Sequence, residues 1–263
     1  MVSKPLVSIV TPSYNQAEFL AETINSVLNQ TYPRIEYIIV DGGSTDGSVE
    51  IINKFQDRIA WWVSEKDQGQ TDAINKGFHH ATGEIYAWLN SDDKYHSMAI
   101  SEAVQYFIKN PDVGLVYGDL NIINHNGNIV GRFNALETNY QKLRRGFVHI
   151  PQPAAFWRAD LWKEVGPLDP KMFFAMDYDL WIRLAKISTI RYYRGHVWAD
   201  FRIHDQSKTI TADEQCWSEM LQIHHRDGGS WFSPLVVKYW IRKMVGPIWR
   251  WSKNFKYKDP IDY

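Results

Sequence analysis

The chain has 263 residues, 44% of them hydrophobic, enough to bury one large core or one core with an appendage, and disorder is not expected. Its formal net charge of -1 excludes a whole-surface polyanion binder, because counterion release needs a concentrated basic field, so no nucleic-acid partner is expected. Cys216 is the single cysteine, which excludes an internal disulfide and a cysteine-based zinc site and fits a reducing compartment.

The N-terminus passes straight into an apolar run, without the charged region, apolar core and cleavage site of a secretory signal. No stretch reaches the roughly 20 uninterrupted apolar residues that span a bilayer, and a cytoplasmic location is expected.

Taken in order, the first half alternates β-branched runs with helix-like segments, the pattern of a mostly parallel sheet covered by helices. Leu6–Val10 reads as a strand, and Asn15 as the cap of a helix that begins near Ala17 and is stopped by Pro33. Tyr37–Val40 is a second strand, followed by the turn Asp41-Gly-Gly-Ser-Thr-Asp-Gly and a helix through Val49, Ile52 and Phe55. Ile59–Val63 is a third strand, Thr71–His80 a helix, and Ile85–Leu89 a strand that ends on Asn90-Ser-Asp-Asp93. A helix near Ala99–Ile108 and a strand near Leu115–Tyr117 complete this half. Beyond it, Ala154–Trp157 and Ile190–Tyr193 read as strands, and Ala159–Val165 and Tyr178–Ala185 as helices.

The chemistry gathers at strand ends, where open α/β sheets bind ligands. Thr11-Pro12-Ser13-Tyr14 supplies hydroxyls and an aromatic face, and Asp41 precedes glycines that permit close backbone approach. Asp92 and Asp93 are adjacent acids that must point different ways, one toward a hard cation and one toward a polar ligand group. Any one of these is an ordinary polar turn, but three consecutive strand ends with ligand chemistry are not. Helical spacing puts Asp177 on the inward face with Leu180, Trp181 and Leu184, while Asp179 and Arg183 form an i,i+4 pair on another face. Asp72 is either a helix-terminal charge or a nucleoside contact, and His204 either structural or a ligand. Trp157, Trp162 and Trp181 are either core or a platform for sugar rings.

Together, S-I-V-T-P-S-Y-N (8–15), S-V-L-N-Q-T-Y (26–32), E-Y-I-I-V-D-G-G-S-T-D-G-S (36–48), A-I-N-K-G (73–77) and A-T-G-E-I-Y-A-W-L-N-S-D-D (81–93) resemble the donor half of family 2 glycosyltransferases. The segment from Gln152 to Leu168, and F-F-A-M-D-Y-D-L-W-I-R-L (173–184), resemble the acceptor half in the same order. The resemblance implies an α/β GT-A fold, Rossmann-like, with a mostly parallel central sheet flanked by helices and a C-terminal helical appendage. The catalytic domain would span residues 1–230, divided near residue 120 into donor and acceptor halves, and the appendage 231–263.

It further implies an inverting enzyme that uses Mn2+ or Mg2+ to move a hexose from a nucleotide diphosphate sugar, UDP-linked, to an acceptor hydroxyl. Thr11, Pro12, Tyr14, Asp41, Asp72 and Asp92 would bind the nucleotide sugar, Asp93 and His204 the metal, and Trp157 and Trp181 the acceptor. Asp177 matches the general base. Two positions depart from the family pattern: Asn90 stands where a carboxylate is common, and Met176 where the acceptor motif reads Glu.

The resemblance to builders of bacterial surface polysaccharide such as O-antigen implies a glycan or lipid-diphosphate-linked acceptor. In the tail, cations such as Lys238, Arg242, Lys243 and Arg250 outnumber Asp259 and Asp262 and alternate with aromatics, the composition of an interfacial helix. Residues 231–258 are therefore expected to meet an anionic membrane surface at its inner face, or else to pack on the enzyme. Two rival readings are a sugar nucleotidyltransferase, whose Gly-rich basic loop after the first strand is missing here, and a non-catalytic nucleotide-sugar or glycan-binding module.

Overall fold

The computed structural model of the protein describes residues 4–205, 207–208, 214–241 and 243. Strand β1 (Val7–Ser13) is buried at every position and continues past the expected end through Thr11-Pro12-Ser13. Helix α1 (Ala17–Leu28) buries Phe19, Leu20, Ile24 and Val27, the face that the 3.6-residue spacing selects. Asn15 does not cap it. Asn15 takes a left-handed φ of 50°, and its Oδ1 accepts the Thr45 N–H, while Asp46 Oδ2 accepts the Ala17 N–H at 2.9 Å. The loop after the second strand thus caps the helix after the first.

Strand β2 (Ile35–Asp41), helix α2 (Ser48–Phe55), strand β3 (Trp61–Ser64), helix α3 (Gln70–His80) and strand β4 (Ile85–Trp88) follow the expected alternation. Strands β1, β2, β3 and β4 pair parallel, with Ser13 level with Asp41 and Asp41 level with Ser64. Helix α3 lies flush on β1 at Gly77, where an added Cβ would stand 2.4 Å from Val10 Cγ1.

The second half adds strand β5 (Lys94–Tyr95), helix α4 (Ala99–Lys109), strands β6 (Val113–Ile123) and β7 (Ile129–Phe133), and helix α5 (Tyr140–Arg144). Strand β8 (Ala155–Arg158), helices α6 (Ala159–Val165) and α7 (Met176–Ile187), strand β9 (Thr189–Arg202) and helix α8 (Glu214–Arg226) follow. One sheet runs in the order β3-β2-β1-β4-β8-β6-β9-β5, with β7 paired to β6. The expectation of a mostly parallel sheet needs correction, because β8 enters antiparallel to both β4 and β6.

Strands β6 and β9 outrun their apolar cores because polar side chains along them satisfy one another. Tyr192 donates its hydroxyl to Asp119 Oδ1 at 2.6 Å, and Asn121 donates to Asp200 Oδ1 at 2.9 Å. The core between sheet and helices is aromatic at the centre, where the Trp88 and Trp181 rings stack at 5.9 Å and Trp157 meets both edge-on. Residues 234–241 are helical, with Leu235 and Val236 buried. The expected tail beyond them lies outside the described residues, apart from Lys243. Among the described residues, no helix is long and apolar enough to cross a membrane.

Candidate active site

The C-terminal ends of β1, β2, β3 and β4 share one edge, which brings together the segments that carry the expected nucleotide contacts. Asp41 is fully buried there. Its Oδ2 accepts the Gly43 and Ser44 N–H groups at 3.1 and 2.9 Å and the Ser64 hydroxyl at 2.6 Å, and its Oδ1 accepts the Ser44 hydroxyl. It therefore shapes the glycine loop from beneath. The loop in turn abuts Asp67, whose Oδ2 would lie 2.6 Å from a Cβ at Gly42.

Thr11 and Pro12 are buried, and the Thr11 hydroxyl accepts from Tyr37 at 3.1 Å, so the expectation of a pocket-lining hydroxyl at Thr11 gives way to a packing role. Tyr14, 62% exposed, is the member of this segment that offers a free face. Asp72, in the first turn of α3, accepts the Gln68 N–H at 3.1 Å, as a helix-terminal acid does.

The Asn90–Asp93 turn divides its acids as two adjacent carboxylates must. Asp93 faces inward and is 1% exposed, with Oδ1 accepting the Arg202 N–H at 2.9 Å and Oδ2 facing the Asn90 amide at 3.3 Å. Burial, reinforced by the charge of Asp92, holds its pKa well above the carboxylate range. Asp92 points the other way, with 20% of its side chain exposed and Oδ2 3.0 Å from His204 Nε2. His204 packs its ring on Phe19 at 4.9 Å.

Arg202 is buried, at 2% exposure. It donates from Nε to the Asp92 carbonyl and from Nη1 to the His125 carbonyl, both at 2.9 Å, pairs with Glu22, and lies over the Phe19 ring. It braces the tetrad from behind, and its place in a strand gave no signal of that.

Helix α7 brings the acceptor-side acid to the same edge. Asp177 lies one turn before Trp181, whose ring stacks on Trp88, itself two residues before Asn90. Its residue surface is partly exposed, yet its carboxyl is enclosed by protein. That desolvation raises its pKa to about 6 against the pull of the Tyr178 N–H. Met176 is buried, and Thr71 donates its hydroxyl to the Met172 carbonyl at 2.8 Å beside Met176 Sδ. The position where the family pattern has Glu thus packs a thioether on α3. The i,i+4 pair Asp179–Arg183 forms at 2.9 Å, with Asp179 also bound by Arg226.

A polar relay runs from Lys208 through the first turn of α3 to Asn90. Lys208 Nζ donates to Gln70 Oε1 at 2.9 Å, Gln70 Nε2 donates to Asn90 Oδ1 at 2.7 Å, and the Asn90 amide faces Gln152 Oε1 at 3.4 Å. Burial lowers the Lys208 pKa to about 8, with Glu219 and Asp67 opposing. Gln152 and Glu219 are not distinguished by the sequence, because a neutral amide and a lone helical acid match no ligand pattern. Asn90 therefore occupies the usual carboxylate position as a donor and acceptor at once.

Trp157 and Trp181 need correction as acceptor contacts. Both are 0% exposed in the central aromatic cluster and present no face to a sugar. As to a metal, the expectation of Asp93 beside His204 needs correction, because Asp93 faces inward onto the Arg202 N–H; the oxygen donor beside His204 is Asp92, at 3.0 Å. No group of three His, Cys, Asp or Glu side chains with metal-binding spacing occurs among the described residues.

The Glycosyl transferase family 2 profile matches residues 8–163. An uncharacterized glycosyltransferase of Rickettsia typhi is 31% identical over 220 residues, covering 80% of this chain and 68% of its own length. A second from Rickettsia conorii is 32% identical over 237 residues, covering 82% of this chain and 38% of that protein. Among solved structures, S. aureus TarS in complex with UDP-GlcNAc superposes with a TM-score of 0.67 at 17% identity, over 84% of this chain and 66% of that one. A mannosyltransferase from Pyrobaculum calidifontis, in complex with GDP-Man and Mn2+, superposes with a TM-score of 0.61 at 17% identity over 96% of this chain and 84% of its own.

Proposed function

Because the chain belongs to glycosyltransferase family 2, we propose that it transfers a hexose, with inversion, from a nucleotide diphosphate sugar to an acceptor hydroxyl, and that Asp177 is the base. The observation that carries this is the Asp177 carboxyl, enclosed at the start of α7, its pKa raised to about 6, on the edge that presents Asp92 and His204. A carboxylate of that pKa is ionised at neutral pH and is a stronger proton acceptor than an ordinary aspartate.

In the transfer, the acceptor hydroxyl gives its proton to Asp177 as its oxygen attacks the anomeric carbon, and the bond to the diphosphate oxygen breaks with its electrons leaving on the diphosphate. What a Mn2+ or Mg2+ held by Asp92 and His204 supplies is neutralisation of charge on that leaving group. The inward-facing Asp93 holds the tetrad's shape through the Arg202 backbone. A UDP-linked donor is the first to test, since UDP-GlcNAc is what TarS was solved with.

A lipid-diphosphate-linked glycan at the inner face of a membrane is the acceptor class this reading favours, in the service of surface polysaccharide. It is supported by Trp231, Phe232, Trp240 and Ile241, exposed by 70%, 91%, 50% and 51%, beside Lys238 and Lys243. Exposed aromatics flanked by cations suit an anionic interface. Flotation with anionic vesicles should fall in a Phe232→Ser, Trp240→Ser variant, and equal flotation would remove the membrane from the proposal. For the chemistry, release of nucleoside diphosphate from a panel of nucleotide sugars, with and without manganese, should depend on Asp177. Near-normal turnover in Asp177→Asn refutes the base.

A further inference from the structure

Helix α7 has no side-chain cap of its own at its N-terminus. The turn that leads into it is held from outside by one acid on α8. Glu219 Oε1 accepts the Phe173 N–H at 3.0 Å, and Oε2 accepts the N–H groups of Phe174 and Ala175 at 2.7 and 2.9 Å. Gln215 Nε2 donates to Oε1 at 3.1 Å, and the Glu219 residue is 6% exposed.

A buried carboxylate is tolerated when its lone pairs are filled, and charge-assisted bonds to backbone N–H groups are among the strong ones. Here three such bonds converge on three consecutive residues, the last of them two positions before Asp177. Phe173 is 41% exposed but Ala175 only 3%, so water can reach the start of this stretch and the carboxylate satisfies its buried end. What the carboxylate adds is one fixed conformation of the turn, and with it one direction for the first residues of α7. The opposite side of the turn is closed by Thr71 at the Met172 carbonyl.

We propose that Glu219 is a positioning residue of the transfer reaction, clamping the Phe173–Ala175 turn so that Asp177 is aimed at the acceptor hydroxyl. This rests on Asp177 being the base. The prediction from geometry is that Glu219 acts through Asp177 and touches neither donor nor acceptor.

A double-mutant cycle on the full chain separates the two ideas. Glu219→Gln keeps the volume but turns one acceptor into an NH2 facing backbone donors, so the turn loses part of its clamp. Because a misplacement of about 1 Å can cost about a hundredfold, kcat should fall by about ten- to a hundredfold with the donor KM unchanged. In an Asp177→Asn background the same substitution should have little further effect. Equal losses in both backgrounds, an unchanged kcat in Glu219→Gln, or a loss confined to donor KM would overturn the proposal. Near-normal turnover in Asp177→Asn alone would instead overturn the reading of Asp177, and the same cycle reports it. If Glu219→Gln does not fold, as read by circular dichroism, Glu219→Asp keeps the charge and shortens the reach. It should show the same loss in kcat at constant donor KM, and wild-type kcat in that variant overturns the proposal.

Discussion

Asp92 Oδ2 lies 3.0 Å from His204 Nε2, across 112 residues of sequence. The contact joins the loop after β4 to the segment just past β9, so the donor-side tetrad and the end of the last strand meet at one point. Beneath it, Arg202 ties the Asp92 carbonyl and the Asp93 carboxylate to the same strand end. The two acids consequently differ: the Asp92 side chain is 20% exposed, and the buried Asp93 holds the turn.

That division predicts different losses. Asp92→Asn should weaken the manganese response of turnover by more than the roughly 10–100-fold typical of an outer-shell partner. Asp93→Asn can still accept the Arg202 N–H and removes a buried acid whose ionisation burial opposes, so it should leave the metal response near wild type and should not lower stability at neutral pH. Manganese titrations of donor turnover, paired with melting curves, check both. Loss of the metal response in Asp93→Asn with its retention in Asp92→Asn would reverse the roles.

The central tryptophans act through packing. Trp181→Ala should destabilise the fold by about 3–5 kcal/mol, because a fully enclosed aromatic leaves a cavity that its neighbours cannot fill. The acceptor KM of the folded fraction should stay at the wild-type value. Urea unfolding followed with acceptor titrations would decide, and a selective change in acceptor KM at unchanged stability would restore the platform role.

Much of the donor half was legible because each strand and helix there is a short apolar run bounded by a turn signal, and parallel pairing put their ends together. Asp41 and Asp92 stand out for that reason, and Asp177 stands out by its helical spacing with Leu180, Trp181 and Leu184. Spacing does not carry the direction a side chain takes, so Asp93, which the resemblance assigns to the metal, is instead drawn inward by the Arg202 N–H. Trp157 and Trp181 were ambiguous for the same reason. Glu219 is invisible in the sequence because its partners lie about 45 residues away in the chain and nothing local marks it. The apolar pattern marks only part of β6 and β9 because Asp119, Asn121 and Asp200 interrupt it while satisfying partners across the sheet.

Gly77 offers a test of how closely α3 must approach β1. Gly77→Ala would place a methyl group 2.4 Å from Val10 Cγ1, in a strand whose positions are all buried. Overpacking of this kind typically costs about 1–3 kcal/mol, which exceeds the gain in helix propensity of alanine over glycine, about 1 kcal/mol. Chemical unfolding should therefore show Gly77→Ala to be less stable than the parent, and equal or greater stability would mean that α3 can ride away from the sheet.

Asp177 couples turnover to pH and to stability with opposite signs. As the base it must be ionised, so kcat should rise with pH through about 6 and level off above. The folded state, however, holds this proton more tightly than an unfolded aspartate of pKa 3.8 does. Between 3.8 and about 6 the folded chain therefore binds more protons, and stability falls as pH rises through that window. Above it the ionised, desolvated carboxyl is a standing cost of up to about 3 kcal/mol. Asp177→Asn removes that charge while keeping the shape, so at pH 7 to 8 it should melt higher than wild type while turnover collapses. Near pH 4 the two proteins should differ little. A variant less stable than wild type at neutral pH would show that the carboxylate is held by favourable contacts and carries no such strain, and a kcat profile flat through about 6 would separate the titration of Asp177 from catalysis.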